Sequence, residues 1–283
     1  MLIGLTRTIA ILFGTSITME IALPACRAQE LPCFFCPESN YTTDDFFPSL
    51  EASEFGDRVR QFTVKVFGEE SWGSGAIVAR HEIEGGEDRY IVATNSHVLR
   101  DETVQIQTDD GQIYDATIEL DDRVGGYDLA FLSFTSDRNL RVASVQTQVS
   151  PGERTFATGY PFVDADRTRP ENSKFRWTQG ELTYALDEPL VDGYRYAYSN
   201  PIMKGMSGGP VVNLRGELIA INGLHAYPLW GDPFVYPDGR SIPEDLREMA
   251  SASSWSIPID SALERGAEFF PEASHETETG PAL

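Results

Sequence analysis

The sequence predicts an all-β protein made of two six-stranded antiparallel β-barrels, with the functional site between them. Three observations support this fold class. Short segments rich in Val, Ile, Tyr, Phe and Thr follow one another from residue 60, separated by turns rich in Gly, Asp and Asn. These segments form two sets, divided near "QVSPGE". Little helix lies between them, as is typical of paired barrels rather than of alternating strands and helices.

The first barrel is predicted over residues 56–146 and the second over residues 147–265. The predicted strands of the first barrel are 60–67, 73–80, 89–95, 103–108, 113–120 and 128–134. Those of the second barrel are 154–161, 174–186, 194–200, 209–213, 217–223 and 254–259. Only the segments 243–252 and 260–270 have a helical pattern, and no internal repeat is evident.

The composition is that of an ordinary globular protein with a strongly acidic surface. The chain has 283 residues, of which 44 are acidic and 22 basic, for a net charge of −22. Such a surface repels phosphate backbones and anionic lipid headgroups, so nucleic acid is not an expected partner.

The N-terminus, residues 1–28, has the pattern of a secretory signal peptide. Arg7 precedes an apolar run over residues 9–18, which is too short to span a membrane, so no stable membrane insertion is expected. Small residues precede a cleavage position near Ala28. The segment ending at Cys26 also resembles a bacterial lipoprotein box, apart from its proline. The sequence therefore predicts a secreted or periplasmic protein, with simple cleavage favoured.

The leader that follows, residues 29–55, contains the pair Cys33 and Cys36. In an exported protein an even pair of cysteines indicates a local disulfide. A thioredoxin-like motif would need a strand before it and a helix after it, and a metal site would need two further ligands, so no metal site is predicted. Residues 266–283 are assigned to an acidic tail, and its last part, "PEASHETETGPAL", is poor in apolar groups, which predicts disorder there.

The stretch "GMSGGPVV" places Ser207 among glycines and fits two unrelated nucleophile motifs. One is the strand-to-helix elbow of α/β-hydrolases, which requires the order Ser, Asp, His along the chain. Here a strand pattern follows the glycines, and only His225 and the tail residue His275 come after the serine. The elbow is therefore excluded, which leaves a glycine-lined nucleophile loop of the chymotrypsin type or a flexible glycine turn that happens to hold a serine.

Two further residues complete the order His, Asp, Ser that such a loop needs. His97 lies in "TNSHV", at the end of the third predicted strand, and Asp128 opens "DLAFLSF", the sixth. Either residue alone would more often be a surface histidine or a turn aspartate. Their order together with the serine loop makes them candidates for the base and its partner.

Together, "TNSHV", "YDLAFL", "GMSGGPVVNLRGELIAIN" and "SWSIPI" resemble the trypsin-like serine peptidases, most closely the HtrA/Deg branch. The resemblance covers about residues 56 to 265 and implies the trypsin-like fold. It departs from that branch in two respects. No PDZ domain is expected after residue 265, and Met206 stands where the family usually has Asn or Asp.

The resemblance implies a serine endopeptidase acting on proteins or peptides without a cofactor. His97 would take the proton of Ser207, and Asp128 would orient the imidazole. The backbone N–H groups of Gly205 and Ser207 would form the oxyanion hole.

The same resemblance implies a specificity pocket. The residue six before the serine, Pro201, would lie at the pocket floor, and Asn222, Gly223 and Leu224 would form a wall. No carboxylate is available at the floor to pair with Lys or Arg, so cleavage after small or medium apolar residues is expected. His225 leaves a preference for Glu open as a second choice.

Two alternatives share the fold. The substitution at Met206 would suit a peptidase fold that has lost turnover and serves as a binding protein. A secreted esterase would use the same three residues on a different substrate.

Overall fold

The computed structural model describes residues 54–123, 125–162, 172–226 and 232–270, all within one compact unit. The predicted signal peptide, Cys26, Cys33, Cys36 and the tail beyond residue 270 lie outside the described residues. Among the residues that are described, no helix is long and apolar enough to cross a membrane.

The first barrel is closed and antiparallel, with strand order β1-β2-β3-β6-β5-β4. Its strands are β1 (Thr63–Phe67), β2 (Trp72–Glu82), β3 (Asp88–Thr94), β4 (Val104–Gln107), β5 (Ile113–Asp121) and β6 (Ala130–Ser136). Pairing of β1 with β4 closes the ring. Closure leaves no free strand edge, which removes the risk of edge-to-edge pairing with another chain.

The second barrel has the order β10-β11-β12-β9-β8-β7 and closes through β10 and β7. Its strands are β7 (Arg154–Gly159), β8 (Arg176–Ala185), β9 (Tyr196–Tyr198), β10 (Pro210–Val212), β11 (Leu218–Leu224) and β12 (Ser254–Pro258). The two closed barrels confirm the predicted fold class, and every predicted strand is present with boundaries shifted by a few residues.

Large side chains fill both barrels. Tyr90 and Phe131 are completely buried in the first barrel, and Tyr198 and Trp255 are buried to 1% exposure or less in the second. The barrels also share hydrogen bonds. The Ser74 hydroxyl of β2 donates to Gly205 O at 2.8 Å and accepts from the Tyr160 N–H at 2.9 Å. These contacts fix one barrel against the other beside Ser207.

Within the described ranges, three short α-helices accompany the barrels: α1 (Glu54–Arg60), α2 (Glu244–Ala252) and α3 (Ile259–Arg265). The sequence predicts α2 and α3 but not α1, whose residues fall in the predicted leader and at the predicted start of the first strand. Acidic residues in its first turn and basic residues in its last stabilise α1 through the helix dipole. Its Phe55 ring packs on Phe156, with 4.9 Å between centroids.

The second predicted helix, 260–270, is interrupted at Gly266, after which Ala267–Phe269 form a 3₁₀ turn. Gly266 lies directly against the Phe131 ring, and Phe269 is buried there. Residues 266–270, counted from the sequence as part of the tail, therefore pack on the first barrel. Arg265 of α3 also binds Asp122 through two hydrogen bonds of 2.5 and 2.7 Å.

Candidate active site

His97 lies on a 3₁₀ turn, Ser96–Val98, that directly follows β3. The buried side chains of the two residues before His97 hold this turn against the start of β6. The Asn95 amide donates to Asp128 O at 2.8 Å, and the Ser96 hydroxyl donates to Leu129 O at 2.7 Å. Because β3 pairs with β6, the histidine and the aspartate are brought together by the barrel itself. The His97 ring remains exposed.

Asp128 is nearly buried, with 8% of its surface exposed, and its carboxylate accepts three hydrogen bonds. The His97 N–H donates to Oδ1 at 2.8 Å, and His97 Nδ1 lies 2.6 Å from Oδ2. The Tyr194 hydroxyl also donates to Oδ2, at 2.5 Å. Since an ionised carboxylate only accepts hydrogen bonds, this network assigns the proton to Nδ1 and leaves the Nε2 lone pair free.

A second acid lies beside this pair. Asp192 has a positive φ of 64°, and its carbonyl accepts the Asp128 N–H at 2.9 Å. Partial burial and the charge of Asp128 raise the pKa of Asp192, and His97 lowers it in part. Its backbone thus anchors Asp128 from the second barrel.

Ser207 lies in a tight loop before β10 that requires glycines. Gly205 and Gly208 have φ values of +97° and +81°, a region that L side chains rarely adopt. A Cβ on Gly208 would lie 2.2 Å from Ser74 O and 3.1 Å from Asn95 N. The Ser74 N–H donates to Ser207 O at 2.8 Å. The serine of the second barrel is therefore held against β2 of the first barrel.

The two N–H groups predicted to form the oxyanion hole have no acceptor within the described ranges. The neighbouring N–H groups are all used: Met206 donates to Met203 O, Gly208 to Asn222 O and Gly209 to Met206 O. The N–H groups of Gly205 and Ser207 donate to no backbone or side-chain atom of the described chain. The loop thus leaves two free donors, two residues apart, beside the serine hydroxyl.

The predicted pocket residues differ in what they can offer a substrate. Asn222 is fully buried, and its amide is consumed internally, donating to Met206 O at 2.8 Å and accepting from the Tyr198 hydroxyl. Gly223 O lies 3.4 Å from Ser207 Oγ. Leu224 is half-buried and His225 is exposed. The Asn222 amide is therefore engaged inside the protein, and of the predicted wall residues Gly223 has its backbone oxygen beside the serine hydroxyl.

Pro201, the predicted pocket floor, is half-buried. Its neighbour Ile202 is buried in the apolar cluster of the second barrel, together with Met206. The surroundings are apolar, in keeping with the lack of a carboxylate. Over the described ranges, no group of three or more His, Cys, Asp or Glu side chains is placed to hold a metal ion.

Sequence reasoning missed Tyr194 and Ser74, both of which touch the site. Ser74 bonds the serine loop on two sides, through its N–H and its hydroxyl. A serine between two glycines in "WGSGAIV" was the available signal for a close approach of backbones. Tyr194 gave no such signal, because nothing in its local sequence shows where its hydroxyl points.

The sequence profile of the trypsin-like peptidase domain matches residues 73–221, a range that contains all three candidate residues. Serine protease HTR4 of Rattus norvegicus is 32% identical over 175 residues, which are 60% of this chain and 32% of that protein. The periplasmic serine endoprotease DegP of Escherichia coli is 28% identical over 220 residues, which are 75% of this chain and 40% of DegP. The chain thus spans 32% to 40% of the length of these relatives.

Among solved structures, the serine endoprotease from Yersinia pestis matches with a TM-score of 0.53 at 22% identity, over 76% of this chain and 65% of that chain. That similarity is one of fold. The domain profile covers more than half of the sequence, and it includes the histidine turn, the aspartate and the serine loop. The chain therefore belongs to the trypsin-like peptidase family.

Proposed function

We propose that this protein is an exported serine endopeptidase in which His97, Asp128 and Ser207 form a catalytic triad. The observation that carries the proposal is the double hydrogen bond between His97 and Asp128, at 2.6 and 2.8 Å. It directs one imidazole nitrogen to the carboxylate and leaves the other for the serine. Family membership and relatives named serine proteases support hydrolysis of peptide bonds.

In the acylation step, His97 Nε2 accepts the hydroxyl proton of Ser207 as Oγ attacks the scissile carbonyl carbon. Asp128 keeps the Nδ1 proton hydrogen-bonded and stabilises the imidazolium that forms. The free N–H groups of Gly205 and Ser207 would receive the oxyanion of the tetrahedral intermediate.

Collapse of that intermediate breaks the C–N bond. His97 gives its proton to the departing amine, and the acyl group remains on Ser207 Oγ. A water molecule then attacks the ester carbonyl while His97 takes its proton, and the second collapse releases the carboxylic acid and restores the serine. Apart from that water molecule, the steps use only groups of the protein and its peptide substrate.

For specificity, we propose cleavage after small or medium apolar residues such as Val, Ala, Leu or Met. Pro201 carries no charge, and Leu224 adds apolar surface to the wall. A lysine or arginine side chain would lose its hydration here without gaining a counter-charge. Each buried methylene of an apolar side chain would gain about 0.8 kcal/mol until the pocket is full.

The proposed export and activation depend on the predicted signal peptide. DegP of Escherichia coli is named a periplasmic protein, which supports export for this chain. Met206 is completely buried and offers no carboxylate to a newly formed N-terminal ammonium group. We therefore propose that removal of residues 1–28 is the only cleavage required, and N-terminal sequencing of active material should begin near Gln29. A required cut at residues 55–60 would contradict this.

A peptidase fold that has lost turnover is the second candidate, favoured by one contact. Ser207 Oγ bonds Gly223 O at 3.4 Å, and in the described structure it makes no hydrogen bond to His97. In serine peptidases without substrate, the hydrogen bond between the serine hydroxyl and the histidine is often long, and it tightens when substrate binds.

The test combines labelling with turnover. A fluorophosphonate probe should modify Ser207 in the folded protein, and casein should be cleaved. Both signals should vanish in Ser207→Ala and persist in Ser144→Ala, a matched change at an exposed serine. Labelling without casein cleavage would favour the esterase if p-nitrophenyl esters are hydrolysed. No labelling in the folded protein would favour the binding protein.

A further inference from the structure

The carboxylate of Asp128 has a partner besides the histidine. Tyr194, which precedes β9, is buried to 6% exposure and donates its hydroxyl to Asp128 Oδ2 at 2.5 Å. That oxygen is the one that also faces His97 Nδ1. A phenol and an imidazole N–H therefore converge on a single carboxylate oxygen.

Two features of the backbone place the Tyr194 hydroxyl there. The turn Asp192–Gly193, with φ values of 64° and 83°, directs the chain back towards Asp128 and bonds its N–H at 2.9 Å. On the other side, an ideal Cβ on Gly223 would lie 2.5 Å from the Tyr194 hydroxyl oxygen. Gly223 thus leaves the space that the phenol occupies, and any other residue there would overlap it.

We propose that Tyr194 is a positioning residue for the triad, which holds Asp128 in the orientation that His97 needs. The inference rests on the proposed function, because it assigns a role within the same site. The hydroxyl fixes the rotation of the carboxylate about its Cβ–Cγ bond. It also takes up part of the negative charge that would otherwise face the imidazole alone.

Tyr194 remains a donor throughout the working range of such an enzyme. Its burial, and then the charge and hydrogen bond of Asp128, raise its pKa well above the ordinary value of 10.0. The other titratable groups that face this cluster are His97, Asp192 and Tyr198. His97 already bonds the same carboxylate, and neither Asp192 nor Tyr198 can replace the phenol, because no hydrogen bond joins either of them to the Asp128 carboxylate in the described chain.

The test is Tyr194→Phe, which removes one oxygen and keeps the ring that fills the space. Loss of one charge-assisted hydrogen bond should lower kcat roughly tenfold to a hundredfold, with KM within about twofold of wild type. Without the Tyr194 hydroxyl, the Asp128 carboxylate bonds only His97 and should stabilise the charged imidazolium more strongly. The acid limb of the kcat/KM profile should therefore move upward by about half a pH unit to one unit.

The matched control is Tyr90→Phe, which removes another buried tyrosine hydroxyl. That hydroxyl donates to Arg138 O at 2.7 Å and accepts the Leu140 N–H at 3.1 Å, and neither partner is a candidate site residue. This control should lower the Tm but leave kcat and the pH profile unchanged. Equal effects of the two variants on kcat, or a wild-type pH profile in Tyr194→Phe, would assign Tyr194 to fold stability and overturn the inference.

An NMR titration of the His97 ring separates this inference from the proposed function, since it needs no turnover. Its midpoint should rise in Tyr194→Phe and stay unchanged in Tyr90→Phe. A raised midpoint in a protein that lacks Ser207-dependent hydrolysis would support the role of Tyr194 and contradict the proposed peptidase function. An unchanged midpoint in an active peptidase would reject only the role of Tyr194.

Discussion

Replacing Asp128 by Asn keeps the shape of the side chain but turns one of its two acceptor oxygens into an NH₂ donor. The amide has one acceptor oxygen, whereas the carboxylate oxygens receive two donors from His97, the backbone N–H at 2.8 Å and Nδ1 at 2.6 Å. The backbone N–H cannot reverse, so the amide oxygen must face it. The NH₂ group then faces Nδ1, which must give up its proton and become an acceptor.

The imidazole proton therefore moves to Nε2, the nitrogen that should receive the proton of Ser207. Such a wrong tautomer costs about 10⁴ in kcat, equivalent to about 5.4 kcal/mol of transition-state stabilisation. KM should change little, because Asp128 is buried away from the substrate surface. We expect Asp128→Asn to lose between about 10³ and 10⁴ in kcat while its fold remains intact.

The assay is steady-state hydrolysis of a chromogenic peptide with an apolar residue before the scissile bond, with circular dichroism to confirm folding. The control is Asp101→Asn, in which the same substitution removes a carboxylate that accepts the N–H groups of Glu70 and Ser71 at 3.0 and 2.7 Å. That variant should retain wild-type kcat. A loss below tenfold in Asp128→Asn, or a similar loss in both variants, would refute the tautomer argument.

Three other predictions concern stability and specificity. The Ser71 hydroxyl and nearby N–H groups hold the pKa of Asp101 below its ordinary value of 3.8, so its contribution to the unfolding free energy is complete above about pH 4 and is lost as the pH falls through the folded-state pKa. Acid titrations of urea stability should therefore be flatter below pH 4 in Asp101→Asn, and identical curves would contradict the assignment. Gly208→Ala should lower the free energy of unfolding in urea by about 2 kcal/mol or more, because backbone strain adds to the overlap with Ser74 O. The control Gly152→Ala, where φ is +88° and the space is open, should lower it by about 1 kcal/mol. Equal losses would show that the overlap has no effect. Cleavage-site profiling on a peptide library should return Val, Ala, Leu and Met, and a majority of Lys and Arg would overturn the apolar pocket.

The fold could be predicted from sequence because its signals are local. Each strand is a short β-branched or aromatic run between turn residues. The strand order itself was not predicted, and the structure pairs β3 with β6. That pairing is what brings His97 and Asp128 together, so their order along the chain carried real spatial information. The glycines around Ser207 likewise indicated that the backbone there adopts a conformation and makes close contacts that a larger side chain would not allow.

The rest of the site depends on where side chains point, which local patterns do not encode. Asn222 was predicted to line the pocket, but its amide turns inward to Met206 O. The Tyr194 hydroxyl reaches Asp128 only because Gly223, distant in sequence, leaves room. Helix α1 was missed because seven residues including a glycine give too short a pattern, and much of its stability comes from packing, through the fully buried Val59 and through Phe55 on Phe156.

The central claim is that His97, Asp128 and Ser207 act as one unit, and a double-mutant cycle tests it most directly. Ser207→Ala and His97→Ala should each lower kcat by about 10⁴ to 10⁶, and the double variant should lose little more than either single variant. This result is expected because the serine is a poor nucleophile without its base, and the base has no role without its serine. Losses that multiply in the double variant would show that the two residues act independently, and would contradict the proposed triad.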